Sequence, residues 1–112
     1  MDSLLQEDVL HALCTSWARI EDLEHWTSNS NARNEYGYGV HATSPSAVKW
    51  CAVGALLEAY YEVGNDPIRL LEEAAHLLYA GDIVLVNDTL GHYAVSRCYA
   101  LAVALHEEAH HA

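Results

Sequence analysis

Apolar residues recur along this chain at steps of three and four in several long stretches, and lose that rhythm in one place. Over residues 3–25, Leu5, Val9, Leu10, Leu13, Trp17, Ile20 and Leu23 share one face, while Glu7, Asp8, Arg19, Glu21 and Asp22 turn away. That pattern predicts an amphipathic helix capped by Ser3. Between Ser44 and Gly64 nearly every position is apolar or small, and Lys49, Glu58 and Glu62 are the only charges. Ser44 as cap, Pro45 at the first helical position and Gly64 as stop predict a second helix, apolar on most sides and suited to a core or an interface. Asp66, Pro67 and Gly81 punctuate a third helix in the same way. Residues 92–110 predict the last helix, with Val95, Cys98, Ala102, Leu105 and Ala109 as its inner stripe. Between the last two lies "DIVLV" at 82–86. It is short and β-branched without an evident partner strand, and is predicted to be an extended connector leading into an "NDTLGH" turn.

The rhythm fails at 27–46, "TSNSNARNEYGYGVHATSPS", which is crowded with Ser, Asn and Gly. A structureless loop of about twenty residues is uncommon in a compact domain and tends to be functional or mobile. Tyr36, Gly37, Tyr38 and Gly39 in its middle suggest that part of it packs back onto the body. The expected architecture is all-α: one domain over residues 1–112, a compact bundle of about four helices with the long loop after the first.

Composition sharpens this picture mainly through charge. Five Lys and Arg stand against sixteen Asp and Glu, a formal charge of -11. Such a chain repels nucleic-acid phosphates and anionic membranes, and no basic run offsets that. Its surface suits a protein partner with a basic face, or simply keeps the protein soluble. Eight histidines would bring the charge from -11 to -3 if all were protonated, so the net charge depends strongly on pH. Cys14, Cys51 and Cys98 are far apart, with no Cys-x-x-Cys spacing, and "MDSLLQEDVL" lacks the positive n-region of a leader. Free thiols in a reducing cytoplasm are expected. No apolar run reaches the roughly 18 residues that a membrane span requires.

Two stretches suggest chemistry. The chain closes on "HEEAH" at 106–110, and His106 and His110, four apart on a helix, could grip one zinc ion. A catalytic site needs a third protein ligand, which zinc proteases draw from downstream, and here only two residues follow. His11, His76 or His92 could substitute, but no spacing points to one. Adventitious metal binding at His106 and His110 is the most this motif supports, and no cofactor is expected. The second stretch is "KWCAVGAL" at 49–56. With the helix starting at Pro45, Cys51 lies about two turns in, among apolar neighbours and beyond the reach of the macrodipole, where a thiol is structural. A thiol-dependent hydrolase would pair Cys51 with His92 or Asp88. Cys14 and Cys98 are expected to be core residues of the flanking helices.

"HWTSNSNARNEYGYGV", "SPSAVKWCAVGALLEA" and "VND" before a helix resemble a family of small uncharacterised actinobacterial and phage proteins. Its pattern is Trp-Thr, Ala-Arg, a Pro-x-Ala-x-x-Trp-Cys-x-x-Gly-Ala-Leu helix and a Trp-Asn-Asp turn. The matching positions are Trp26, Thr27, Ala32, Arg33, Pro45, Ala47, Trp50, Cys51, Gly54, Ala55, Leu56, Asn87 and Asp88, across roughly residues 26–105. Val86 stands where the family usually carries tryptophan. The resemblance implies a small helical domain and carries no activity with it.

Without catalysis, these residues still have work. Gly54 and Ala55 permit close approach of another helix, while Asn87 and Asp88 suit a turn and a cap. A polar pocket where Arg33, Asn87 and Asp88 meet near Trp26 and Trp50 is the functional alternative, with Tyr36 and Tyr38 as further binding candidates. The expected function is binding: a small acidic helical protein acting on a macromolecular partner. The phage-like relatives suggest an accessory or inhibitor of a host defence or nucleic-acid enzyme. Glu58, Glu62, Glu72 and Glu73 are expected to form one negative patch. An oligomeric structural module, such as a homodimer through the apolar second and fourth helices, is a third reading.

Overall fold

The computed structural model describes residues 2–60 and 66–109, with side chains described at 8–58 and 66–109. Helix α1 covers Asp2–Glu21 and a 3-10 turn Leu23–His25 follows it. Three two-residue strands come next, β1 (Ala32–Arg33), β2 (Gly39–Val40) and β3 (Lys49–Trp50). Helices α2 (Ala52–Tyr60), α3 (Asp66–Tyr79), the short α4 (Ile83–Leu85) and α5 (His92–Ala109) complete the order, with a π turn, Val86–Leu90, between α4 and α5.

The helices follow the periodic pattern closely. In α1, Val9, Ala12, Leu13, Ser16 and Ile20 are buried, the i, i+3, i+4, i+7 spacing of one face. Ser16 is tolerated there because its hydroxyl hydrogen-bonds the carbonyls of Ala12 (2.6 Å) and Ala55 (3.2 Å), tying α1 to α2. Trp17 stacks on Tyr99 at 6.5 Å, and the His92 ring lies 2.7 Å from Ile20 O. These two pairs run in opposite directions along the chain, so α1 and α5 are antiparallel. Leu71, Ala74 and Ala75 of α3 and Val95, Cys98, Tyr99 and Ala102 of α5 join the same contiguous core. No described helix is long and apolar enough to cross a membrane.

The architecture departs from the all-α expectation in the 27–51 segment. β1 pairs antiparallel with β2, Ala32 opposite Val40, and with β3, Ala32 opposite Trp50. The fold is therefore mainly helical with a small three-stranded sheet. The start of the second helix moves accordingly. Ser44 and Pro45 form a turn, with Ala47 N donating to Ser44 O at 3.1 Å, and Trp50 is in a strand. Helix formation waits until Ala52, because the Trp50 carbonyl accepts from Thr27 N (3.0 Å) and Cys51 N donates to Asn31 O (3.1 Å). Pairing across the chain outweighs the local Ser-Pro signal. The expected stop at Gly64 and the charge of Glu62 lie outside the described residues.

"DIVLV" is neither strand nor connector. Asp82 Oδ1 accepts from Leu85 N at 2.7 Å and starts a helical turn, and Ile83 and Val86, three apart, are buried. A cap and an i, i+3 apolar pair override β-branched propensity. The end of α3 also differs: the left-handed residue after it is Ala80 (φ 58), one position before Gly81. In α5 the buried stripe includes Ala94, Tyr99 and His106, while Leu105 is half-buried and Ala109 exposed. Helix α1 ends at Glu21, so Leu23, expected on its inner face, falls in the 3-10 turn and is exposed. Cys14 of α1 is exposed as well, not a core residue, because it lies about 100° round from Leu13.

Candidate functional site

Asn87 is the hub of the segment that the sheet organises. It sits in the π turn, which closes with Gly91 N donating to Val86 O (3.2 Å) and ends at Gly91 with φ 96. Such a widened turn often marks a functional position. The side chain is 2 % exposed and fully engaged. Its Oδ1 accepts from Trp26 Nε1 (2.8 Å) and from Ala52 N (2.9 Å), the first amide of α2. Its Nδ2 donates to Thr27 O (3.1 Å) and to Asp88 Oδ1 (3.1 Å). One amide thus satisfies an orphan helix N–H, an indole N–H and a loop carbonyl.

Asp88 Oδ1 also accepts from Asn29 N (2.8 Å). Arg33 supports the opposite flank: its Nε donates to Thr27 Oγ1 (2.9 Å), Nη1 to Gly37 O (2.9 Å) and Nη2 to Ser28 O (3.1 Å). Trp50 Nε1 donates to Ala42 O (2.9 Å), and the Arg19 guanidinium lies 4.6 Å above its ring while Nη2 bonds Glu58 at 2.8 Å. The expected pocket of Arg33, Asn87 and Asp88 beside Trp26 and Trp50 does not form as such. Arg33 bonds the Thr27 hydroxyl while Asn87 bonds the Thr27 carbonyl, and neither Arg33 nor the two tryptophans line the cleft that holds Asn87 and Asp88.

Cys51 stands at the N-cap of α2, not two turns inside it. Its sulfur accepts from Gly54 N (3.2 Å) and its thiol is 3.7 Å from Asn31 Oδ1. Burial pushes the thiol pKa up, the Gly54 and Val53 amides pull it down, and the charge of Asp88 adds to the rise; the net direction is upward. The thiol is thus protonated at neutral pH, with helix-end stabilisation outweighed by desolvation. Cys51 opens onto a cleft of about 390 Å³ lined by Asn29, Ser30, Asn31, Val53, Val84, Asn87 and Asp88. His92 does not line it; its ring bonds Ile20 O and meets Trp26 edge-on at 5.6 Å. Of the proposed thiol partners, the fold brings Asp88 to Cys51 and places His92 elsewhere.

Gly54 is a close-packing position, but what approaches it is a loop and not a helix. A Cβ there would overlap the Asn31 carbonyl oxygen, which Cys51 N holds in place. The remaining candidates are dispersed. Glu58 pairs with Arg19 and Glu72 Oε1 accepts from Ile83 N (2.7 Å), whereas Glu73 is exposed. Tyr36 and Tyr38 are 76 % and 71 % exposed. His106 is buried and His110 lies outside the described residues. No group of three or more His, Cys, Asp or Glu able to hold a metal occurs among the described residues.

Sequence reasoning missed Asn31 and Asn34, which shape the cleft and the hairpin; their only signal was the density of Asn in an aperiodic segment. Comparison with family models, curated proteins and solved structures returns no match.

Proposed function

We propose that the protein is a binding module that presents an acidic surface to a basic macromolecular partner. One observation carries this reading: among the described residues, exposed carboxylates far outnumber exposed cations. Asp8, Glu21, Asp22, Glu24, Glu35, Asp66, Glu73, Asp82, Glu107 and Glu108 are exposed, against two exposed arginines. Of those two, Arg69 lies 3.8 Å from Asp66 and Arg97 packs on Tyr79. Arg19 and Arg33 are committed as described above. The Glu21–Asp22–Glu24 group sits where α1 ends, and the antiparallel α1–α5 pair brings Asp8 to the same end as Glu107 and Glu108. Fields of this kind steer a basic partner and raise its on-rate.

Most of these exposed carboxylates lie at the ends of α1 and α5, whereas Glu58 and Glu72 are bonded within the fold. A role as a phage-type accessory or inhibitor of a host enzyme is the narrower version, and it rests on the family resemblance alone. The thiol-dependent hydrolase is less well supported, since burial pushes the Cys51 thiol up and no histidine is among the described residues that line its cleft. Affinity capture from the source cell with mass spectrometry, followed by titration of the captured partner, tests the proposal. A basic protein whose binding weakens as salt rises is the expected result, and reversing Glu21 and Glu24 to lysine should slow association. Binding that ignores both salt and charge reversal would refute it.

A further inference from the structure

We infer that the hairpin tip at 34–38 is the anchor of this surface, and that Tyr36 and Tyr38 stack on arginine side chains of a basic protein partner. The inference rests on the basic-partner reading above and deepens it. A five-residue loop joins β1 to β2, and its backbone is held at several points. Gly37 N donates to Asn34 O and Asn34 N to Tyr38 O, both at 3.0 Å. Asn34 Oδ1 accepts from Tyr36 N and Tyr38 N, each at 3.0 Å. Gly37 takes φ 86, a conformation that suits glycine. Arg33 then clamps Gly37 O and ties the loop to Thr27, whose amide is bonded to Trp50 O.

The tip is therefore ordered before any partner arrives, while the two largest side chains on it project into solvent. Burial does not explain them: the fold loses little by their removal. Rigid aromatic groups on a pre-organised loop give contact area at low entropic cost, which is the usual composition of an interface hot spot. Charge selects the partner. Glu35 lies between Asn34 and Tyr36 and is exposed. Arg33 turns its guanidinium onto Gly37 O, Ser28 O and Thr27 Oγ1, and Lys49 stands across from Arg33. The choice therefore rests on the chain's overall charge of -11, whose complement is cationic. A guanidinium satisfies both features, stacking on a tyrosine face and pairing with a carboxylate. Base stacking from a single-stranded nucleic acid would use the same rings, but its phosphates would meet the negative field.

The test uses the full chain, an octa-arginine peptide and an octa-thymidine oligonucleotide at low salt, read by NMR of the tyrosine rings and by titration. The peptide should shift the Tyr36 and Tyr38 ring signals saturably, and the oligonucleotide should not. The Tyr36→Phe/Tyr38→Phe double variant should bind the peptide nearly as the parent does. Tyr36→Leu/Tyr38→Leu keeps apolar bulk but removes both ring faces and should lose about tenfold in affinity. Circular dichroism should be unchanged in both variants, as expected for exposed positions. Peptide binding that perturbs only the carboxylates of α1 and α5, with the leucine variant equal to the parent, would overturn the anchor and leave the acidic-surface reading intact. No peptide binding at all would overturn both. Ring shifts with the oligonucleotide and none with the peptide would overturn the partner class.

Discussion

The α3–α5 pair and the segment from Trp26 to Cys51 solve the same problem of folding in opposite ways. Where α3 meets α5, backbone groups are satisfied within each helix, and Leu71, Ala74, Ala75, Val95, Cys98 and Ala102 supply an apolar core. Between Trp26 and Cys51 the strands are two residues long. Side chains do much of the joining there: Asn34 holds the hairpin, Arg33 clamps its tip, and Asn87 and Asp88 reach in from 36 or more residues downstream of Cys51. The first region depends on the size and apolarity of its side chains. The second depends on particular hydrogen-bonding groups, each placed against a specific backbone atom. A small acidic chain can therefore keep an irregular, ordered surface on a conventional helical support.

Asn87→Ala should break the comparison most severely. It leaves Trp26 Nε1, Ala52 N and Thr27 O without their partner in a buried site, and each unsatisfied group costs about 1–3 kcal/mol. Three such groups sum to roughly 3–9 kcal/mol, comparable with the whole stability of a small domain. Chemical denaturation checks it. Leu71→Ala should also cost about 2–5 kcal/mol, by leaving a cavity. The two should differ in locality: Asn87→Ala should speed amide exchange first at Thr27, Cys51 and Ala52, and Leu71→Ala throughout α3 and α5. Equal exchange profiles would mean that the two regions are one cooperative unit.

Gly54→Ala comes next. The added Cβ meets the backbone oxygen of Asn31, which cannot turn aside as a flexible side chain would. A cost of about 2–3 kcal/mol is expected despite alanine's higher helix propensity. Thermal unfolding measures it, and a rise in stability would show that Asn31 yields easily. The same substitution at an exposed helical site would stabilise, so the sign isolates the loop–helix contact.

The cysteines sharpen the comparison through pH. Cys14 is exposed and should label quickly at neutral pH, while Cys51 and Cys98 should label slowly. Burial raises the Cys98 thiol from 9.0 to about 11. Its folded pKa lies above the unfolded one, so its contribution is complete below about pH 9 and is lost as pH rises toward 11. That amounts to at most roughly 2–3 kcal/mol. Cys98→Ala should flatten the alkaline limb of the stability curve, as read by urea midpoints between pH 8 and 11. An unchanged limb would show that Cys98 is not its cause.

What could be read from the sequence divides along the same line. Periodicity located α1, α3 and α5, because helices that pack by apolar stripes write their geometry into residue spacing. It erred by about one residue around the helix in α5, missing Tyr99, whose hydroxyl reaches Ala52 O at 2.7 Å and so hides a polar group in the core. The start of α2 was misplaced because Ser44 and Pro45 carry a strong local signal, while the pairing that competes with it comes from Thr27 and Asn31, about 20 residues away. Asn87 and Asp88 were visible as a turn, yet nothing local reveals that Asn87 caps a helix 35 residues earlier. Side-chain-to-backbone bonds across the chain have no period, and only the assembled fold displays them.

The smallest effect lies where the helical region itself breaks its own grammar. After α3 the left-handed position falls on Ala80, with φ 58, although Gly81 is adjacent. Ala80 N still donates to His76 O at 2.9 Å, so the helix terminates normally and alanine carries the conformational cost. A non-glycine residue in that region costs about 1–2 kcal/mol, and glycine removes this while adding about 0.5–1 kcal/mol of unfolded-state entropy. Ala80→Gly should therefore gain roughly 0.5 kcal/mol, an increase in melting temperature of a few degrees at most. Ala80 is exposed and its side chain fills no core space, so packing does not offset the gain. The reciprocal variant Gly81→Ala serves as the control, since its new Cβ would approach Leu85 Cδ2 at 3.1 Å, a flexible side-chain end that can give way. A gain for Ala80→Gly with little change for Gly81→Ala would locate the strain at Ala80. A loss for Ala80→Gly would mean that the alanine methyl supports the turn into α4, where Asp82 caps and Glu72 holds Ile83 N, and would move that corner from the regular region to the side-chain-held one.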